Sequence, residues 1–304
     1  MSLTASLSRL VDRFTEPVER AEILDAPSEA LDTVVASAIP RGPVKDLLSG
    51  VAVGHPLHPA LVTVPIGAFT GAVALDLTGR EQSAARTLVG LGLLSSVPTA
   101  LAGLSDWSDT RGAERRVGFA HLALNVAGLG IIAASWFSRR KHPGTGLFDS
   151  HGPWLTLTGF GVLGASAWLG GHLSYALGVG VDTTAFQRPP KEWTDAVAEA
   201  ELVEGRPIAA TVGTIPVLLV RRTDGRIYAL ADRCTHRGGP LHEGRLDDGC
   251  IECPWHASRF ALEDGAVVRG PATRPAPVLE TRVIDGRVQV RRDEVRTLRL
   301  NPTG

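Results

Sequence analysis

Four long apolar runs in the first half of the chain constrain its fold more than any other feature. They lie near residues 60–78, 87–105, 117–137 and 154–180. The last three contain no Asp, Glu, Lys or Arg, and the first contains only Asp76, near its end. Each run approaches the roughly 20 apolar residues that an α-helix needs to cross about 30 Å of hydrocarbon. The pattern therefore predicts four membrane-spanning helices.

The alternative is a soluble four-helix bundle whose apolar faces are buried. Helices of soluble bundles carry a polar stripe every three or four residues, and these runs lack one. Their frequent glycines would let helices approach closely in lipid. These glycines are Gly67, Gly71, Gly90, Gly92, Gly128, Gly130, Gly161 and Gly164. We therefore favour a membrane domain over residues 51–181.

The N-terminal segment, residues 1–50, is predicted to be an amphipathic helical segment. Its apolar residues Leu7, Leu10, Val11 and Phe14 fall on one stripe of a helix. Such a stripe binds either a membrane surface or an apolar face of another domain. The sequence pattern is compatible with both.

The second half of the chain is charged and is punctuated by Pro and Gly. Residues 182–192 form a linker in which Pro189 and Pro190 resist helix formation and act as a short, stiff spacer. Within residues 193–293, three pairs of short β patterns flank Thr-Asp-Gly-Arg, Glu-Asp-Gly and Asp-Gly turns. This arrangement predicts a small antiparallel β-sandwich or barrel, followed by a tail at 294–304.

Two short boxes in this second domain each combine a cysteine and a histidine. They are Cys-Thr-His-Arg-Gly-Gly-Pro-Leu (234–241) and Cys-Pro-Trp-His-Ala-Ser-Arg-Phe (253–260), so the spacing is C-x-H, then sixteen residues, then C-x-x-H. The candidate metal ligands are Cys234, His236, Cys253 and His256. Two thiolates and two imidazoles suit a [2Fe–2S] cluster in which one iron takes two sulfurs and the other two nitrogens. The alternative is a structural zinc site.

Over residues 192–292 these boxes resemble the Rieske iron–sulfur family. The resemblance implies that Cys234 and Cys253 bind the inner iron of a [2Fe–2S] cluster. It implies that His236 and His256 bind the outer, more exposed iron. It also implies that Ser258 donates a hydrogen bond to a bridging sulfide.

The boxes differ from those of the high-potential Rieske proteins of respiratory complexes. Those proteins carry a further cysteine in each box, where this chain has Gly239 and Trp255, so we expect no disulfide beside the cluster. Phe260 also lacks the hydroxyl group of the respiratory type. The pattern is closer to the ferredoxin and oxygenase branch, with a potential in the lower part of the range of about −150 to +300 mV.

The third cysteine, Cys250, lies three residues before Cys253. On a strand an odd offset places two side chains on opposite faces, so Cys250 is predicted to point away from the cluster as a small core residue. With two of the three cysteines committed to a cluster, no intramolecular disulfide framework remains. This fits a reducing compartment.

Several histidines of the membrane half are predicted to lie on one side of the bundle. In an up-and-down arrangement the first and third spans begin, and the fourth ends, on the same side. His55, His58, His121 and His172 therefore fall in one leaflet or at its surface. Because ionisable residues are costly in a membrane, one hypothesis is a haem b bound by His121 and His172, with His58 as a substitute. The alternative is that these histidines form hydrogen bonds that orient the helices.

The membrane half also resembles a family of four-span bacterial membrane proteins of undetermined function. The matching motifs are Gly-His-Pro-Leu-His-Pro (54–59), Gly-Leu-Ser-Asp-Trp (103–107), His121 with Asn125, and Gly-Gly-His-Leu-Ser-Tyr (170–175). This resemblance supports the helical fold and names no activity. Basic residues are slightly more numerous on the side of the termini, which favours a multi-pass protein of the cell membrane with a cytoplasmic second domain.

Together these patterns predict a multidomain chain, an α-helical four-helix membrane bundle followed by a small all-β Rieske domain. The predicted function is one-electron transfer with a redox partner protein, either a reductase or an acceptor, beside membrane lipid and with a quinone as a further candidate partner. The alternatives are a membrane redox or nitrogen-oxide sensor and a component of a membrane oxidoreductase with haem b. A complete Rieske oxygenase needs further iron ligands, and no histidine follows His256. The net charge of −1 argues against nucleic acid as a partner.

Overall fold

The computed structural model describes residues 13–79, 81–141 and 151–293. Leu7, Leu10 and Val11 of the predicted N-terminal stripe, and the predicted tail at 294–304, lie outside the described residues. The described part of the N-terminal segment is helical at residues 13–19, in α1 (Asp25–Ala38) and in α2 (Pro43–Ser49). A short 3-10 turn at Glu22–Leu24 leads into α1. The segment therefore contains several short helices where the sequence pattern predicted one amphipathic stretch.

The chain divides into two units. The first combines residues 1–40 with 57–179, and the second combines residues 41–56 with 180–304, in each case as far as they are described. Helix α2 therefore belongs to the second unit. The chain contributes to that unit twice, once before the apolar helices and once after them.

The described part of the first unit is helical. After α1 it contains α3 (Leu57–Leu61), α4 (Thr63–Thr78), α5 (Gln82–Trp107), α6 (Gly112–Lys141) and α7 (His151–Tyr175). Within this unit α4 packs mainly against α5, and α6 packs mainly against α7. Phe69, Ala72, Val89 and Ile132 are buried between the helices.

Glycines let helices α6 and α7 approach closely, as the frequency of small residues predicted. A Cβ atom built on Gly159 would lie 2.8 Å from the carbonyl oxygen of Gly128. A Cβ atom built on Gly128 would lie 3.1 Å from the carbonyl oxygen of Gly159. Both positions therefore need glycine for the two backbones to touch, which is a packing mode common in membrane helices.

A buried ion pair joins three helices of this unit. Arg139 of α6 donates to both carboxylate oxygens of Asp76 on α4, at 2.9 and 2.5 Å, and to the hydroxyl oxygen of Thr156 on α7 at 2.9 Å. Removing one partner of such a pair leaves an uncompensated buried charge, which costs about 3–5 kcal/mol. The negative charge of Asp76 in the first apolar run is therefore compensated by Arg139 of another helix.

Among the residues that the structure describes, three helical stretches are long and apolar enough to cross a membrane. They are Leu57–Thr78, Gln82–Trp107 and Gly112–Arg140, which contain the first three predicted runs. Between 22% and 28% of the apolar window in each stretch is buried in the structure, so most of each window is not covered by the described part of the chain. The fourth run is helical as far as Tyr175 rather than residue 180, and α7 is not among the three stretches. The fourth span therefore stays a prediction.

The second unit is built mainly of β-strands, in two antiparallel sheets. The described strands are β1 (Thr194–Ala198), β2 (Ile208–Val212), β3 (Ile215–Arg221), β4 (Ile227–Ala231), β5 (Arg245–Asp247), β6 (Cys250–Glu252), β7 (Arg259–Ala261), β8 (Val267–Arg269), β9 (Val278–Ile284) and β10 (Arg287–Arg292). The larger sheet has the order β1-β10-β9-β4-β3-β2, and the smaller has the order β5-β6-β7-β8. The edge strands β1 and β2 contact each other, so the larger sheet curls into a barrel-like form.

Strand β3 is buried on both faces and separates two cores. Val217 lies in a core enclosed by the larger sheet, and its neighbour Leu218 lies in a second core that also contains residues of the smaller sheet. Alternate side chains of a strand point to opposite faces, which explains this division. The second core includes Cys234 and Cys253, so the candidate cluster ligands are anchored in packed apolar surroundings.

The three predicted hairpins are confirmed. Strands β3 and β4, β7 and β8, and β9 and β10 pair antiparallel on either side of the predicted turns. In the last hairpin Asp285 and Gly286 have φ angles of 50° and 72°. Two successive positive φ angles are typical of the type I′ turn that suits a two-residue hairpin loop.

Candidate metal centre

The first Cys/His box forms a closed loop after strand β4. The backbone N–H of Cys234 donates to the carbonyl oxygen of Gly239 at 2.9 Å, and the N–H of Gly238 donates back to the carbonyl oxygen of Cys234 at 2.8 Å. Gly238 has a φ angle of 76°, a left-handed conformation that glycine adopts without steric cost.

The second box forms the same loop between strands β6 and β7. The N–H of Cys253 donates to the carbonyl oxygen of Ser258 at 2.8 Å, and the N–H of Ala257 donates to the carbonyl oxygen of Cys253 at 3.0 Å. Ala257 has a φ angle of 62°, at the position that Gly238 occupies in the first loop. The two boxes are therefore alike in backbone structure, although only part of their sequence is shared.

Each cysteine sulfur accepts hydrogen bonds from two backbone N–H groups of its own loop. The donors are His236 and Arg237 for Cys234, and Trp255 and His256 for Cys253. Such N–H groups stabilise the thiolate relative to the thiol. The arrangement is suited to sulfur ligands that must stay deprotonated on a metal.

The two thiols are buried, with 2% of each cysteine exposed, and they hydrogen-bond to each other. The bond to Cys234 lowers the pKa of Cys253 to about 7, against the opposing effect of burial. The same bond, together with burial, raises the pKa of Cys234 well above its usual value. The pair therefore loses its first proton readily, and a metal bound to both sulfurs would displace the second.

The two imidazoles lie next to each other and are half-buried. The ring centroids of His236 and His256 are 5.1 Å apart, and the rings are nearly perpendicular, at 88°. Burial lowers the pKa of His236 well below its usual value, and the charges of His256, Arg237 and Lys45 lower it further. His236 is therefore neutral near pH 7, the form in which imidazole binds metals.

Residue 239 lies against the sulfur of Cys253 and the ring of Trp255, which leaves no room for a side chain in this protein. A Cβ atom on Gly239 would lie 2.9 Å from the sulfur of Cys253 and 3.0 Å from the ring of Trp255. Among the residues that the structure describes, no three His, Cys, Asp or Glu side chains are grouped around one metal ion. A two-iron cluster needs no such group, because each iron takes two protein ligands. The donor set and the space therefore fit a [2Fe–2S] cluster.

A buried carboxylate supports the first loop. The backbone N–H and the imidazole Nδ1 of His242 lie 2.8 and 2.7 Å from the two carboxylate oxygens of Asp232. Burial raises the pKa of Asp232, and the hydrogen bonds from His242 oppose that rise. This pair was not predicted from the sequence. Its only signal was an aspartate two residues before Cys234.

Residues 270–274 connect the two loops. The hydroxyl oxygen of Ser258 accepts the N–H of Ala272 at 3.0 Å, and the hydroxyl of Thr235 donates to the carbonyl oxygen of Arg274 at 2.7 Å. Ser258 is fully buried and lies in the second box, two residues after His256. Because its oxygen accepts here, the hydroxyl hydrogen is left to donate in another direction.

The start of the predicted linker is attached to the first loop. The hydroxyl of Thr183 donates to the carbonyl oxygen of Cys234 at 2.8 Å, and its N–H donates to the carbonyl oxygen of Thr235 at 3.2 Å. The nearby Asp182 accepts hydrogen bonds from the backbone and hydroxyl of Thr184. This part of the linker is therefore ordered by the loop that it contacts.

The third cysteine lies apart from the other two, as predicted. Cys250 is on strand β6 with 7% exposed, and its thiol donates to the carbonyl oxygen of Asp248 at 3.6 Å. All three cysteines are free. The positions of the respiratory-type disulfide hold Gly239 and Trp255, which agrees with the expectation of no disulfide.

In the first unit, the structure brings together His58 and His121. Their ring centroids are 6.5 Å apart. The Nδ1 of His58 lies 2.9 Å from the carbonyl oxygen of Thr99, and the Nδ1 of His121 lies 2.7 Å from that of Ser166. The Nε2 of His121 is 3.0 Å from the amide nitrogen of Asn125. The bonds to Thr99 and Ser166 join separate helices, as expected if these histidines orient the helices.

His172, the second predicted haem ligand, contacts a different residue. Its Nε2 lies 2.8 Å from a carboxylate oxygen of Glu19. His55 belongs to the second unit rather than to the helical one. The hypothesis of haem b bound by His121 and His172, with His58 as a substitute, gains no support from these contacts.

Two family models match separate parts of the chain. Residues 192–285 match the model described as the Rieske [2Fe-2S] domain, which covers both boxes. Residues 54–183 match the model described as a predicted membrane protein, DUF2231. The two matches correspond to the two predicted resemblances.

Several ferredoxins are similar to the second unit. The anthranilate 1,2-dioxygenase ferredoxin subunit of Burkholderia cepacia is 36% identical over 99 residues, which are 33% of this chain and 91% of that protein. The 3-phenylpropionate/cinnamic acid dioxygenase ferredoxin subunit of Escherichia coli K12 is 38% identical over 88 residues, 29% of this chain and 81% of that protein. Among solved structures, the ferredoxin of carbazole 1,9a-dioxygenase from Nocardioides aromaticivorans is 27% identical, with a TM-score of 0.32 over 34% of this chain and 100% of that one.

The chain belongs to the Rieske [2Fe–2S] family, through its second unit. The family match supports a [2Fe–2S] cluster and a Rieske-type electron carrier, and no comparison supports haem b. The match to a predicted membrane protein family and the three apolar helices support localisation in a membrane.

The space beside Cys253 gives a direct test of the centre. In Gly239→Ala the added methyl group presses on the sulfur of Cys253 and on Trp255. Overpacking of this kind typically costs about 1–3 kcal/mol. We expect most of the bound iron and visible absorption to be lost, as measured by iron analysis and absorption spectroscopy of the purified protein.

The matched control is Gly161→Ala, because a Cβ atom at Gly161 meets nothing within 4 Å. This variant should keep the iron content of the wild type. A Gly239→Ala protein with full iron content and an unchanged spectrum would contradict the assignment of the site to these loops.

Proposed function

We propose that this protein is a membrane-attached one-electron carrier whose Rieske-type [2Fe–2S] cluster is bound by the two Cys/His loops. The observation that carries the proposal is the pairing of these loops. Two loops with the same hydrogen bonds bring two buried thiols into contact and place two half-buried imidazoles 5.1 Å apart. This donor set matches the mixed sulfur and nitrogen ligation of a Rieske cluster.

Burial supports the proposed ligand roles. Cys234 and Cys253 would bind the inner iron, because both are buried in the second core. His236 and His256 would bind the outer iron, because both are half-buried at the edge of the site. When bound, the cluster supplies reversible uptake of one electron. The protein holds the thiolates with backbone N–H groups, keeps His236 neutral and excludes water from the sulfurs.

Ser258 would donate its hydroxyl hydrogen to the cluster. Its oxygen accepts the N–H of Ala272, which fixes the orientation of the side chain. Hydrogen bonds to cluster sulfur raise the reduction potential. Phe260 is fully buried and supplies no second hydroxyl, which supports a ferredoxin-type potential below that of the respiratory proteins.

The partner would be a redox protein, either a reductase or an oxygenase-type acceptor. The relatives that match the second unit are named as ferredoxin subunits of dioxygenases. Trp255 has 44% of its surface exposed beside His256 and offers an apolar contact at the exposed edge of the site. Among the described residues no contact favours the sensor function, haem b or a quinone, so electron transfer is the function we propose.

The reduced protein gives the test of this function. A mixed Cys/His cluster should give an electron paramagnetic resonance spectrum with an average g value below that of an all-cysteine cluster, because nitrogen ligation changes the ferrous site. In His236→Cys we expect a higher average g value and a lower potential, since a third thiolate adds negative charge.

The control for this experiment is Cys250→Ser, because Cys250 lies outside the paired thiols. It should leave both the spectrum and the potential unchanged. An iron-free wild-type protein loaded with zinc, or a higher potential in His236→Cys, would overturn the proposed function.

The proposed location is the cell membrane, with several spans and the second unit in the cytoplasm. The apolar surfaces of the three long helices would contact lipid. The small excess of basic residues on the side of the termini supports the orientation.

Protease treatment of sealed vesicles tests this orientation. The protein should stay in the membrane after alkaline carbonate extraction. Its second unit should resist protease in right-side-out spheroplasts and be digested in inverted vesicles. Release by carbonate would contradict membrane spanning, and digestion in spheroplasts would contradict the cytoplasmic placement.

A further inference from the structure

Residues 41–56 precede the apolar helices but fold as part of the second unit. Their main element is α2, which has Pro43 in its first turn and is followed by Gly50, with a φ angle of 88°. Lys45 of this helix has only 5% of its surface exposed. Lysine is rarely this buried, because an ammonium group loses hydration that its surroundings must replace.

Helix α2 contacts residues 270–274 closely. A carboxylate oxygen of Asp46 accepts the N–H of Gly270 at 3.0 Å. A Cβ atom on Gly270 would lie 2.9 Å from this oxygen and 2.6 Å from a methyl carbon of Val51. The absence of a side chain at Gly270 is therefore what lets the 41–56 segment pack here.

Residues 270–274 are the same ones that connect the two ligand loops. Ala272 is bonded to Ser258 of the second loop, and Arg274 to Thr235 of the first. Helix α2 is therefore linked to both loops through one short stretch of backbone. Its position relative to the candidate ligands is fixed by these bonds.

The side chain next to Asp46 lies within electrostatic reach of a candidate ligand. The ammonium of Lys45 interacts electrostatically with the His236 imidazole, and the hydrogen bond of the adjacent Asp46 to Gly270 holds α2 against the segment that joins the two loops. A charge near a desolvated group acts more strongly than it would in water. The buried ammonium of Lys45 thus affects the histidine edge of the site.

The charge of the cluster determines what this ammonium would do. Two ferric ions, two sulfides, two thiolates and two neutral imidazoles sum to zero. Uptake of one electron from the redox partner converts one ferric ion to ferrous and gives the cluster one negative charge. A fixed positive charge stabilises the reduced state more than the oxidised one.

We propose that Lys45 sets the reduction potential of the cluster, and that the 41–56 segment is an added part of the cluster site. The inference rests on the proposed function and deepens it. The segment lies outside residues 192–285, which match the Rieske family. It is therefore an addition to the ferredoxin-like part, made by the chain that leads into the apolar helices.

The test is a redox titration of the full-length protein in detergent, followed by electron paramagnetic resonance. Lys45→Met removes the charge and keeps the apolar stem. We expect the equilibrium constant for reduction to fall at least tenfold, which is about 59 mV for one electron. Lys45→Gln, a polar neutral variant, should give the same direction of change, and Lys45→Arg should keep the potential close to that of the wild type.

The matched control is Lys191→Met, since Lys191 is an exposed lysine of the same unit. It removes an equal charge and should leave the potential unchanged. A wild-type protein without a Rieske spectrum would overturn the proposed function itself. A normal wild-type spectrum with unchanged potentials in both neutral variants would overturn only the role of Lys45. Loss of the cluster in both neutral variants would also overturn the role of Lys45 in setting the potential, because Lys45 would then be needed to bind the cluster.

Discussion

The hydrogen bonds that close the two ligand loops are the interaction on which the rest of the site depends. Each loop directs two backbone N–H groups at its own cysteine sulfur. Two hydrogen bonds close each loop. The N–H of the cysteine donates to the carbonyl oxygen five residues later, and the N–H four residues later donates to the carbonyl oxygen of the cysteine. Because backbone groups form these hydrogen bonds, the shape of the loops depends on side chains at only a few positions. Gly239 is one such position, since a side chain there would occupy the space beside Cys253.

The surrounding fold keeps these loops in contact. Cys234 and Cys253 are packed in the core shared by the two sheets. Residues 270–274 are bonded to one residue of each loop, and the buried Asp232 accepts two hydrogen bonds from His242 behind the first loop. Burial of these groups makes each bond harder to replace by water. The loops are thus held from several sides by parts of the chain that are distant in sequence.

Local patterns allowed much of this arrangement to be predicted. The Asp-Gly turn at 285–286 fixes its hairpin through two positive φ angles, and the apolar runs specify long helices by composition alone. The two Cys/His boxes were visible in the sequence because metal chemistry demands particular side chains at short spacing. Each of these features depends on residues that are close together in the sequence.

The features that sequence reasoning missed depend on contacts between distant residues. Asp46 bonds to Gly270, and no local pattern distinguishes Lys45 on α2 from a solvated lysine. The ion pair of Asp76 with Arg139 likewise joins separate helices, although Asp76 alone was visible in its run. His121 lies beside His58 and not beside His172 as predicted. Which histidines meet depends on how each helix is rotated about its axis, and a helix that is apolar on all sides carries little sequence information about that rotation.

The central claim is that two unlike iron sites are bound by the two loops. Mössbauer spectroscopy of the full-length protein, produced with ⁵⁷Fe, tests it most directly. In the oxidised protein we predict two ferric signals of equal area, one from a sulfur-ligated iron and one from an iron with nitrogen ligands. After reduction, only the nitrogen-ligated site should become ferrous. A single iron environment, or two identical sites that share the added electron, would contradict the account.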